Sequence, residues 1–361
     1  MRLKPKSGIM DIAPYIGGES KASGAGRIIK LSSNEGAFGP PPRAVQAILN
    51  AASTAHRYPD GGCNDLRAAL AAKNNIPADQ IVCGAGSDEI ISFLCQSYAG
   101  PGDEVLYSRH GFLMYAISAK ANGATPIAAP EKNLTADVDA LIAAVTDKTK
   151  ILFLANPNNP TGSYLDKKEI RRLATSLPKT VLLVLDSAYA EFVTADDYSA
   201  GHELVNEFGN VVVTRTFSKI YALGGLRLGW GYASAEVADV LNRVRGPFNV
   251  SAVAQAAGIA ALEDDAFIQK SIAHNDEWVT WTSNELTALG LTVYPSAGNF
   301  ILVSFGDAGR AEGCRLYLKD RGILIRQMGA YGLSECLRIS IGTGEEMVLA
   351  RDAIAGYMKT V

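Results

Sequence analysis

The sequence predicts an α/β protein in which helices alternate with the strands of a mainly parallel sheet. From about residue 65 onward, segments with helical periodicity (DLRAALAAKN, SDEIISFLCQSYA, DVDALIAAV, KKEIRRLATSL) alternate with short apolar runs (EVLYS, ATPIAA, KILFLA, VLLVLD, VVVTRT). Two runs, at 151–155 and 181–185, are continuously apolar, which is typical of strands covered by helices on both faces. This alternation is characteristic of a parallel sheet between two layers of helices.

After about residue 250 the pattern changes and predicts a second, smaller α+β domain. A helix is followed by LTVYPSAGNFILVSF, GCRLYLKDRGILIR and CLRISIG, and then by a last helix, for which Thr343 and Glu346 have the spacing of a capping box. A single core stops growing at roughly 250–300 residues, so two lobes are expected of this chain. We predict an N-terminal arm at 1–30, a large domain at 31–250, and a small domain at 251–361 that part of the N-terminal segment joins.

Charge and hydropathy narrow the class of partner. The chain of 361 residues has a net charge of −3 and a pI near 5.9, without a block of consecutive Lys or Arg, so neither nucleic acid nor an anionic membrane is favoured. The start, MRLKPKSGIMDIAPY, lacks the apolar region of a signal peptide, and SAVAQAAGIAAL is too short to span a bilayer. We expect a cytoplasmic protein that acts on a small molecule.

Cysteine and histidine lack the spacing of a metal site or a disulfide framework. The five cysteines are scattered and form no CxxC pair: Cys63, Cys83, Cys95, Cys314 and Cys336. The four histidines do not cluster: His56, His110, His202 and His274. We therefore expect no structural metal ion and no disulfide framework.

Three predicted strands end in reactive side chains. They run into NPNNPTG at 156–162, DSAY at 186–189 and TRTFSK at 214–219. In open α/β sheets, ligands bind beyond the carboxyl ends of the strands. The sequence therefore predicts amide, carboxylate, phenol, hydroxyl and amine groups around one ligand site.

This set of groups suits pyridoxal phosphate. The cofactor needs an amine for a Schiff base, a carboxylate that keeps its pyridine nitrogen protonated, and neutral donors to its phenolic oxygen. Lys219 supplies the amine, Asp186 is placed for the pyridinium, and Asn159 and Tyr189 can donate to the phenolic oxygen. Taken singly, such residues are usually caps or surface groups, so the prediction depends on their joint pattern. We predict that Lys219, Asp186 and Tyr189 are catalytic.

A short glycine turn is the candidate site for the cofactor phosphate. The residues at 84–88, GAGSD, open the helix DEIISFLCQSYA, and a dianion is favoured at a helix N-terminus. Ser218 and Arg227 are expected to complete the site. We interpret the Asp88 side chain as a capping group, because its charge would repel a phosphate, although its backbone amide can donate.

Four segments, in the order NPNNPTG, DSAY, RTFSKIYALGGLRLGW and RVRGPFNV, resemble those of the fold-type I aminotransferases. The histidinol-phosphate aminotransferase branch fits best, because RYPDG near residue 57, GSDE near 87, MY at 114, GNFILV, GILIR and CLRISIGT also match. The resemblance covers nearly the whole chain. It implies a pyridoxal-phosphate enzyme with a large domain built on a mixed, mostly parallel sheet, a small domain formed from both chain ends, and a homodimer.

The same resemblance implies roles for further residues. Phe112 resembles the ring that stacks on the cofactor, and Tyr58 the residue that a partner subunit lends to the cofactor phosphate. Arg338 matches the arginine that clamps a substrate carboxylate, while Tyr15 and Arg326 resemble residues near a distal phosphate. The resemblance also adds to the cofactor-binding set Gly86, Ser87, Asp88 and Thr216, and to the substrate-binding set Asn34.

The implied reaction is transamination between histidinol phosphate and 2-oxoglutarate, giving imidazole-acetol phosphate and glutamate, in histidine biosynthesis. The chain departs from the family pattern at Ser187, where glutamate is common, and at His110-Gly111, where Pro-Thr is common. Both departures leave the cofactor set intact, and His110 and Gly111, which are expected to flank the substrate pocket, bear on specificity. An aromatic-amino-acid aminotransferase and a decarboxylase of a phosphorylated amino acid remain open, because they use the same cofactor groups.

Two readings from other classes are disfavoured. A nicotinamide-dependent dehydrogenase would use the turn at 84–86 in a G-x-G-x-x-G motif, but Glu89 occupies the third glycine position. A non-catalytic binding protein of the same architecture would have little reason to keep Lys219 together with Asp186. A shift in visible absorption on adding an amino donor separates that reading from an enzyme.

Overall fold

The computed structural model of the protein describes residues 3–21 and 27–360. Of the predicted N-terminal arm, residues 1, 2 and 22–26 lie outside the described residues. The described strands, in chain order, are β1 Ile29–Leu31, β2 Ile81–Gly84, β3 Glu104–Ser108, β4 Thr125–Ala129, β5 Glu131–Lys132, β6 Thr135–Ala136, β7 Thr149–Ala155, β8 Leu182–Asp186, β9 Val211–Thr216, β10 Gly229–Tyr232, β11 Thr292–Tyr294, β12 Phe300–Ser304, β13 Ile323–Gln327 and β14 Cys336–Ser340.

The described helices connect these strands much as the sequence predicts. In chain order they are α1 Pro42–Ala52, α2 Asn64–Asn74, α3 Ser87–Tyr98, α4 Leu113–Ala121, α5 Val138–Ala143, α6 Lys167–Ser176, α7 His202–Phe208, α8 Ala235–Val244, α9 Ala252–Leu262, α10 Asp265–Ala288, α11 Ala308–Lys319 and α12 Gly344–Met358. The predicted capping box of the last helix is present, because Thr343 and Glu346 bond reciprocally at the start of α12.

The large domain contains a seven-stranded sheet in the order β2-β10-β9-β8-β7-β3-β4. Strand β10 runs antiparallel to both of its neighbours, and the other neighbouring strands are parallel. The sheet is therefore mixed and mostly parallel, as predicted. The two continuously apolar runs are β7 and β8 at its centre.

Alternation along β7 explains how this sheet is buried on both faces. Leu152 and Leu154 belong to one apolar cluster, whereas Ile151, Phe153 and Ala155 belong to a second. Successive side chains of a strand point to opposite faces, so one strand contributes to both clusters. A strand buried in this way has no solvent face and reads as a continuous apolar run.

The small domain contains a five-stranded sheet in the order β1-β13-β14-β12-β11. Strand β1 pairs in parallel with β13, and the remaining pairs are antiparallel. The N-terminal strand therefore completes a sheet whose other strands follow residue 290. Helix α9 packs with α1 and α2, so the apolar core of the large sheet includes residues beyond 250, as far as Leu262.

The register of the large sheet places the predicted chemical groups side by side. Ala155, the last residue of β7, lies opposite Asp186, and Asp186 lies opposite Thr214 of β9. In the small sheet, Arg326 of β13 lies opposite Arg338 of β14. Within the described ranges, no helix combines the length and low polarity needed to cross a bilayer.

Candidate active site

A cavity of about 320 Å³ lies where the ends of β8 and β9 face the small-domain strands β13 and β14. All but two of the predicted site residues line it: Tyr15, Asn34, Ser87, Asp88, Phe112, Asn159, Asp186, Tyr189, Thr216, Ser218, Lys219, Arg227, Arg326 and Arg338. The two that do not are Gly86, which directly precedes Ser87, and Tyr58. The cavity therefore brings together residues from the N-terminal segment, the large sheet and the small sheet.

Asp186 is buried at the end of β8 and accepts two side-chain hydrogen bonds. The Tyr115 hydroxyl donates to Oδ2 over 2.7 Å, and the Thr214 hydroxyl donates to Oδ1 over 3.1 Å. Burial raises the pKa of Asp186 to about 6, although both hydrogen bonds oppose that rise. A cation facing this carboxylate would restore its charge.

The sequence reasoning missed Tyr115 and Thr214. The Tyr115 ring stacks on Phe153 of β7, with centroids 4.6 Å apart and planes 1° apart, and this places its hydroxyl beside the next strand. Its only sequence signal was the MY pair in the family resemblance. Thr214 faces Asp186 because the two are register partners on neighbouring strands, and the sequence had not specified which strands pair.

Lys219 extends into the cavity from the segment after β9. Its amino group donates to the backbone oxygen of Ser33 over 3.4 Å and lies 5.7 Å from the centre of the Tyr189 ring. The Tyr189 hydroxyl accepts a hydrogen bond of 2.9 Å from Asn34. On another side, Asn159 Oδ1 accepts a hydrogen bond from Arg338 Nη1. The amine, phenol and amide predicted from the sequence therefore surround one space.

The glycine turn ends where α3 begins and leaves the first amides of that helix free for an anion. Gly86 is the N-cap residue of α3, with φ of 89°, and no side chain from it bonds to the amides of the first turn. A Cβ at Gly86 would lie 2.6 Å from Arg227 Nη2, so the glycine permits the arginine to approach the turn. Arg227 and Ser218 line the cavity here, as expected of a phosphate site.

The predicted capping role of Asp88 is wrong. Its carboxylate instead forms a 3.0 Å ion pair with Arg227, 139 residues further along the chain. The turn is ordered by the next residue, because Glu89 accepts hydrogen bonds of 2.7 Å from the backbone amide of Ala85 and from Asn249. Only tertiary packing brings Arg227 to Asp88, so local sequence favoured the commoner capping role.

The two arginines of the small sheet differ in surroundings. Arg338 is buried; Nη2 donates to the Ser32 carbonyl over 3.0 Å and Nε has no partner. Burial lowers the pKa of Arg338, whose hydrogen-bond partners among the described residues are the neutral oxygens of Ser32 and Asn159. Arg326 donates to the Ile16 carbonyl over 2.6 Å and lies 6.0 Å from the Tyr15 ring centre. A buried guanidinium beside a cavity suits an anionic ligand.

Tyr58 does not reach the cavity of its own chain. Its side chain is 83% exposed and stacks on Phe248, with ring centres 4.7 Å apart. An exposed aromatic pair of this kind is available for contact with a second subunit.

At the two positions where the chain departs from the family pattern, Ser187 and His110 form hydrogen bonds that hold loops outside the cavity. Ser187 donates to the Ala200 carbonyl over 3.1 Å. His110 is paired with Glu131 through Nδ1 at 2.6 Å, and its carbonyl accepts a bond from Asn158 over 3.1 Å. His110 therefore ties the loop before Phe112 to the loop that carries Asn159.

Comparison with known proteins identifies the class. The family model described as "Aminotransferase class I and II" matches residues 26–354. Over 356 residues the chain is 60% identical to histidinol-phosphate aminotransferase of Paramagnetospirillum magneticum and 56% identical to that of Rhodospirillum centenum, with 98% of each chain covered in both comparisons. The chain belongs to the class I and II aminotransferase family.

Solved structures agree with this membership. Histidinol-phosphate aminotransferase from Sinorhizobium meliloti, in complex with pyridoxal 5'-phosphate, is 31% identical, with a TM-score of 0.88 over 92% of both chains. Aspartate aminotransferase from Thermus thermophilus with maleate, at 22% identity and a TM-score of 0.81 over 91% of both chains, shows the fold alone. The predicted fold-type I architecture is confirmed, and the protein is a pyridoxal-phosphate-dependent aminotransferase.

Groups in the cavity fit that cofactor. Asp186 is a buried carboxylate whose side-chain partners among the described residues, Tyr115 and Thr214, are neutral hydroxyls, which suits a pyridinium. Lys219 offers an amine, and the start of α3 offers free amides for a phosphate. When bound, pyridoxal phosphate withdraws electrons from the carbon that carries the substrate's amino group, which makes the proton on that carbon acidic.

Proposed function

We propose that the enzyme transfers the amino group of histidinol phosphate to 2-oxoglutarate, giving imidazole-acetol phosphate and glutamate, in histidine biosynthesis. The observation that carries the proposal is the pairing of Arg326 with Arg338 on neighbouring strands, both lining the cavity. Among the described residues, the hydrogen-bond partners of both arginines are neutral oxygens: Arg326 donates to the Ile16 carbonyl, and Arg338 donates to the Ser32 carbonyl and to Asn159 Oδ1. The names of the relatives at 60% and 56% identity support the same donor.

Two cationic groups match the chemical demands of this substrate pair. Histidinol phosphate carries a phosphate and no α-carboxylate, whereas glutamate carries two carboxylates. One cavity must therefore accept a phosphate in one half-reaction and a carboxylate in the other. Guanidinium groups bind either anion through two parallel hydrogen bonds. We assign the α-carboxylate of glutamate to Arg338 and the distal anion to Arg326, with Tyr15 and Asn34 as neutral groups of the substrate site.

Three residues carry the chemistry in this proposal. Lys219 would hold the cofactor through its amine, and its Nζ would take up the proton from the carbon that bears the substrate's amino group. Asp186 keeps the pyridine nitrogen protonated. Tyr189 donates to the phenolic oxygen, with Asn159 as a second donor, and Phe112 covers the ring.

The phosphate of the cofactor is assigned to the start of α3. Backbone amides at Ser87 and Asp88 would donate to it, together with the hydroxyl groups of Thr216 and Ser218 and the guanidinium of Arg227, while Gly86 forms the turn with its own amide bonded to the Gly84 carbonyl. The exposed Tyr58 would reach the phosphate of a partner subunit, which makes the active unit a homodimer with composite sites.

We also propose a cytoplasmic location. The five cysteines are buried and free, which suits a reducing compartment.

The test is a comparison of amino donors. Purified enzyme should be assayed with 2-oxoglutarate and histidinol phosphate, phenylalanine or tyrosine, and kcat/KM should be highest for histidinol phosphate. Efficient turnover of phenylalanine with little turnover of histidinol phosphate would support an aromatic aminotransferase instead. Release of carbon dioxide from a phosphorylated amino acid would support a decarboxylase.

A further inference from the structure

Asn34 connects the phenol of Tyr189 to a serine of the small domain. The backbone amide of Asn34 donates to Ser340 Oγ over 2.7 Å, and Ser340 Oγ donates to Asn34 Oδ1 over 2.9 Å. Asn34 Nδ2 then donates to the Tyr189 hydroxyl over 2.9 Å. Asn34 and Ser340 are only 1% and 3% exposed, so water does not compete for these groups.

The backbone of Asn34 is also fixed from the small domain. Its φ of 54° lies in the left-handed region, which asparagine tolerates better than most residues. Asn299 Nδ2 donates to the carbonyl oxygens of Asn34 and Glu35, each over 3.2 Å. Both the main chain and the side-chain amide of Asn34 are therefore held in place by hydrogen bonds.

The bonding pattern decides which way the Asn34 amide faces. Ser340 Oγ already accepts the backbone N–H of Asn34, and no other acceptor for its proton occurs among the described residues. If the amide were reversed, the Ser340 hydroxyl would have no acceptor, and a buried donor without a partner is costly. Oδ1 therefore faces Ser340 and Nδ2 faces Tyr189.

This orientation of Asn34 fixes the direction in which the Tyr189 hydroxyl donates its proton. Its oxygen receives a proton from Asn34, so its own proton cannot be donated to Asn34 and is free for the cavity. We propose that Ser340 is a positioning residue which, through Asn34, makes the Tyr189 hydroxyl a one-way donor toward the phenolic oxygen of the cofactor. Ser340 itself does not line the cavity, whereas Asn34 and Tyr189 do.

The arrangement gives one strand of the small domain two tasks. Arg338 and Ser340 are two residues apart on β14 and therefore lie on the same face of the small sheet. The strand that presents the guanidinium for the substrate thus also orients the phenol that serves the cofactor. The inference depends on the cofactor of the family and not on the proposed amino donor.

The experiment is a pH titration of the visible absorbance of the holoenzyme without substrate. A donor to the phenolic oxygen disperses the negative charge on that oxygen, and that charge favours binding of a nearby proton. Losing the donor should therefore raise the pH at the midpoint of the absorbance change. Tyr189→Phe should raise the midpoint by about one to two pH units, as expected for one charge-assisted hydrogen bond. Ser340→Ala should shift it in the same direction by part of that amount, because Asn34 can then turn and accept from Tyr189.

A double-mutant cycle separates positioning from a general structural effect. In the Tyr189→Phe background, Ser340→Ala should add no further shift, because the group through which it acts is absent. Ser340→Thr, which keeps the hydroxyl, and Ser304→Ala, on the neighbouring strand β12, should leave the midpoint unchanged. If Ser340→Ala does not fold, Ser340→Cys, close in size and a weaker donor, should shift the midpoint in the same direction.

Two results would overturn the inference. One is a Ser340→Ala or Ser340→Cys holoenzyme with the wild-type midpoint. The other is a shift of equal size with Tyr189 present and absent. Because no substrate is added, either result leaves the proposed amino donor untouched, and a failed donor assay would in turn leave this titration unaffected.

Discussion

The hydroxyl of Tyr115 donates a hydrogen bond to Oδ2 of Asp186 over 2.7 Å within the core of the large domain. This bond favours the charged carboxylate, whereas burial raises the pKa of Asp186 to about 6. The carboxylate is thus built to face a cation, and without one its charge is costly at neutral pH. In the cofactor-free protein this buried charge destabilises the folded state, and a bound pyridinium would relieve the destabilisation.

Asp186→Asn should stabilise the cofactor-free protein at neutral pH. The folded pKa of about 6 exceeds the ordinary value of 3.8, so the contribution of Asp186 to stability is fully present below about pH 3.8 and is lost as pH rises through 6. The variant should gain roughly 3 kcal/mol near pH 8 and little near pH 4. Urea unfolding of both cofactor-free proteins across this range measures the difference.

An exposed aspartate provides the control for this measurement. Asp239, whose side chain is 61% exposed, pairs with Arg243 on the same helix, and Asp239→Asn should change stability by less than about 0.5 kcal/mol. Equal stability of wild type and Asp186→Asn at every pH would show that burial of this carboxylate is not costly.

Asp186→Ala should lose most of the activity while still folding. Without a carboxylate the pyridine nitrogen is no longer kept protonated, so electrons are withdrawn less strongly from the substrate. Steady-state kinetics and a cofactor titration should show that kcat falls much more than cofactor affinity. Unchanged turnover would mean that Asp186 is a structural group only.

Lys219→Ala should abolish turnover, because the covalent attachment and the proton shuttle are both lost. Borohydride reduction of the wild-type holoenzyme, followed by peptide mapping, should place the pyridoxyl group on Lys219. Lys179→Ala, which removes an exposed lysine, is the control and should keep full activity. A label on any lysine other than Lys219 would remove the basis for the neighbouring assignments.

Mixing two inactive variants tests the composite site. Tyr58→Ala and Lys219→Ala homodimers should each be inactive, but a heterodimer contains one site with both residues intact. Co-refolding the variants should therefore restore part of the activity, and gel filtration should show a dimer. No recovery in verified heterodimers would mean that each site is self-contained and that the exposed Tyr58 serves another purpose.

The strands that end at the site were predictable because their signals are local. Continuous apolar runs identified β7 and β8, and the polar residues that follow each run had to meet at one sheet edge. The partners of those residues were not predictable. Tyr115 lies 71 residues from Asp186, and Ser340 lies 306 residues from Asn34. Such pairs meet only through the packing of helices and of the second sheet.

The last prediction concerns the distal anion of the amino donor. Arg326 lines the cavity opposite Arg338 in the small sheet, where a guanidinium can bind a phosphate through two hydrogen bonds. Losing such a bond typically costs about 1.5–3 kcal/mol, or roughly ten- to over a hundredfold in kcat/KM. Arg326→Ala should impair histidinol phosphate by about that factor, and phenylalanine, which has no distal anion, much less.

Arg326 also donates to the Ile16 carbonyl, so loosening of the N-terminal arm must be separated from loss of the anion contact. Arg315→Ala supplies the control, because Arg315 binds the arm through Glu19 over 3.1 Å and lies outside the cavity. If Arg326 acts by binding the distal anion, only Arg326→Ala should impair histidinol phosphate more than phenylalanine. Equal losses for histidinol phosphate and phenylalanine in Arg326→Ala would contradict the assignment, because removing a phosphate contact cannot penalise a donor without a phosphate.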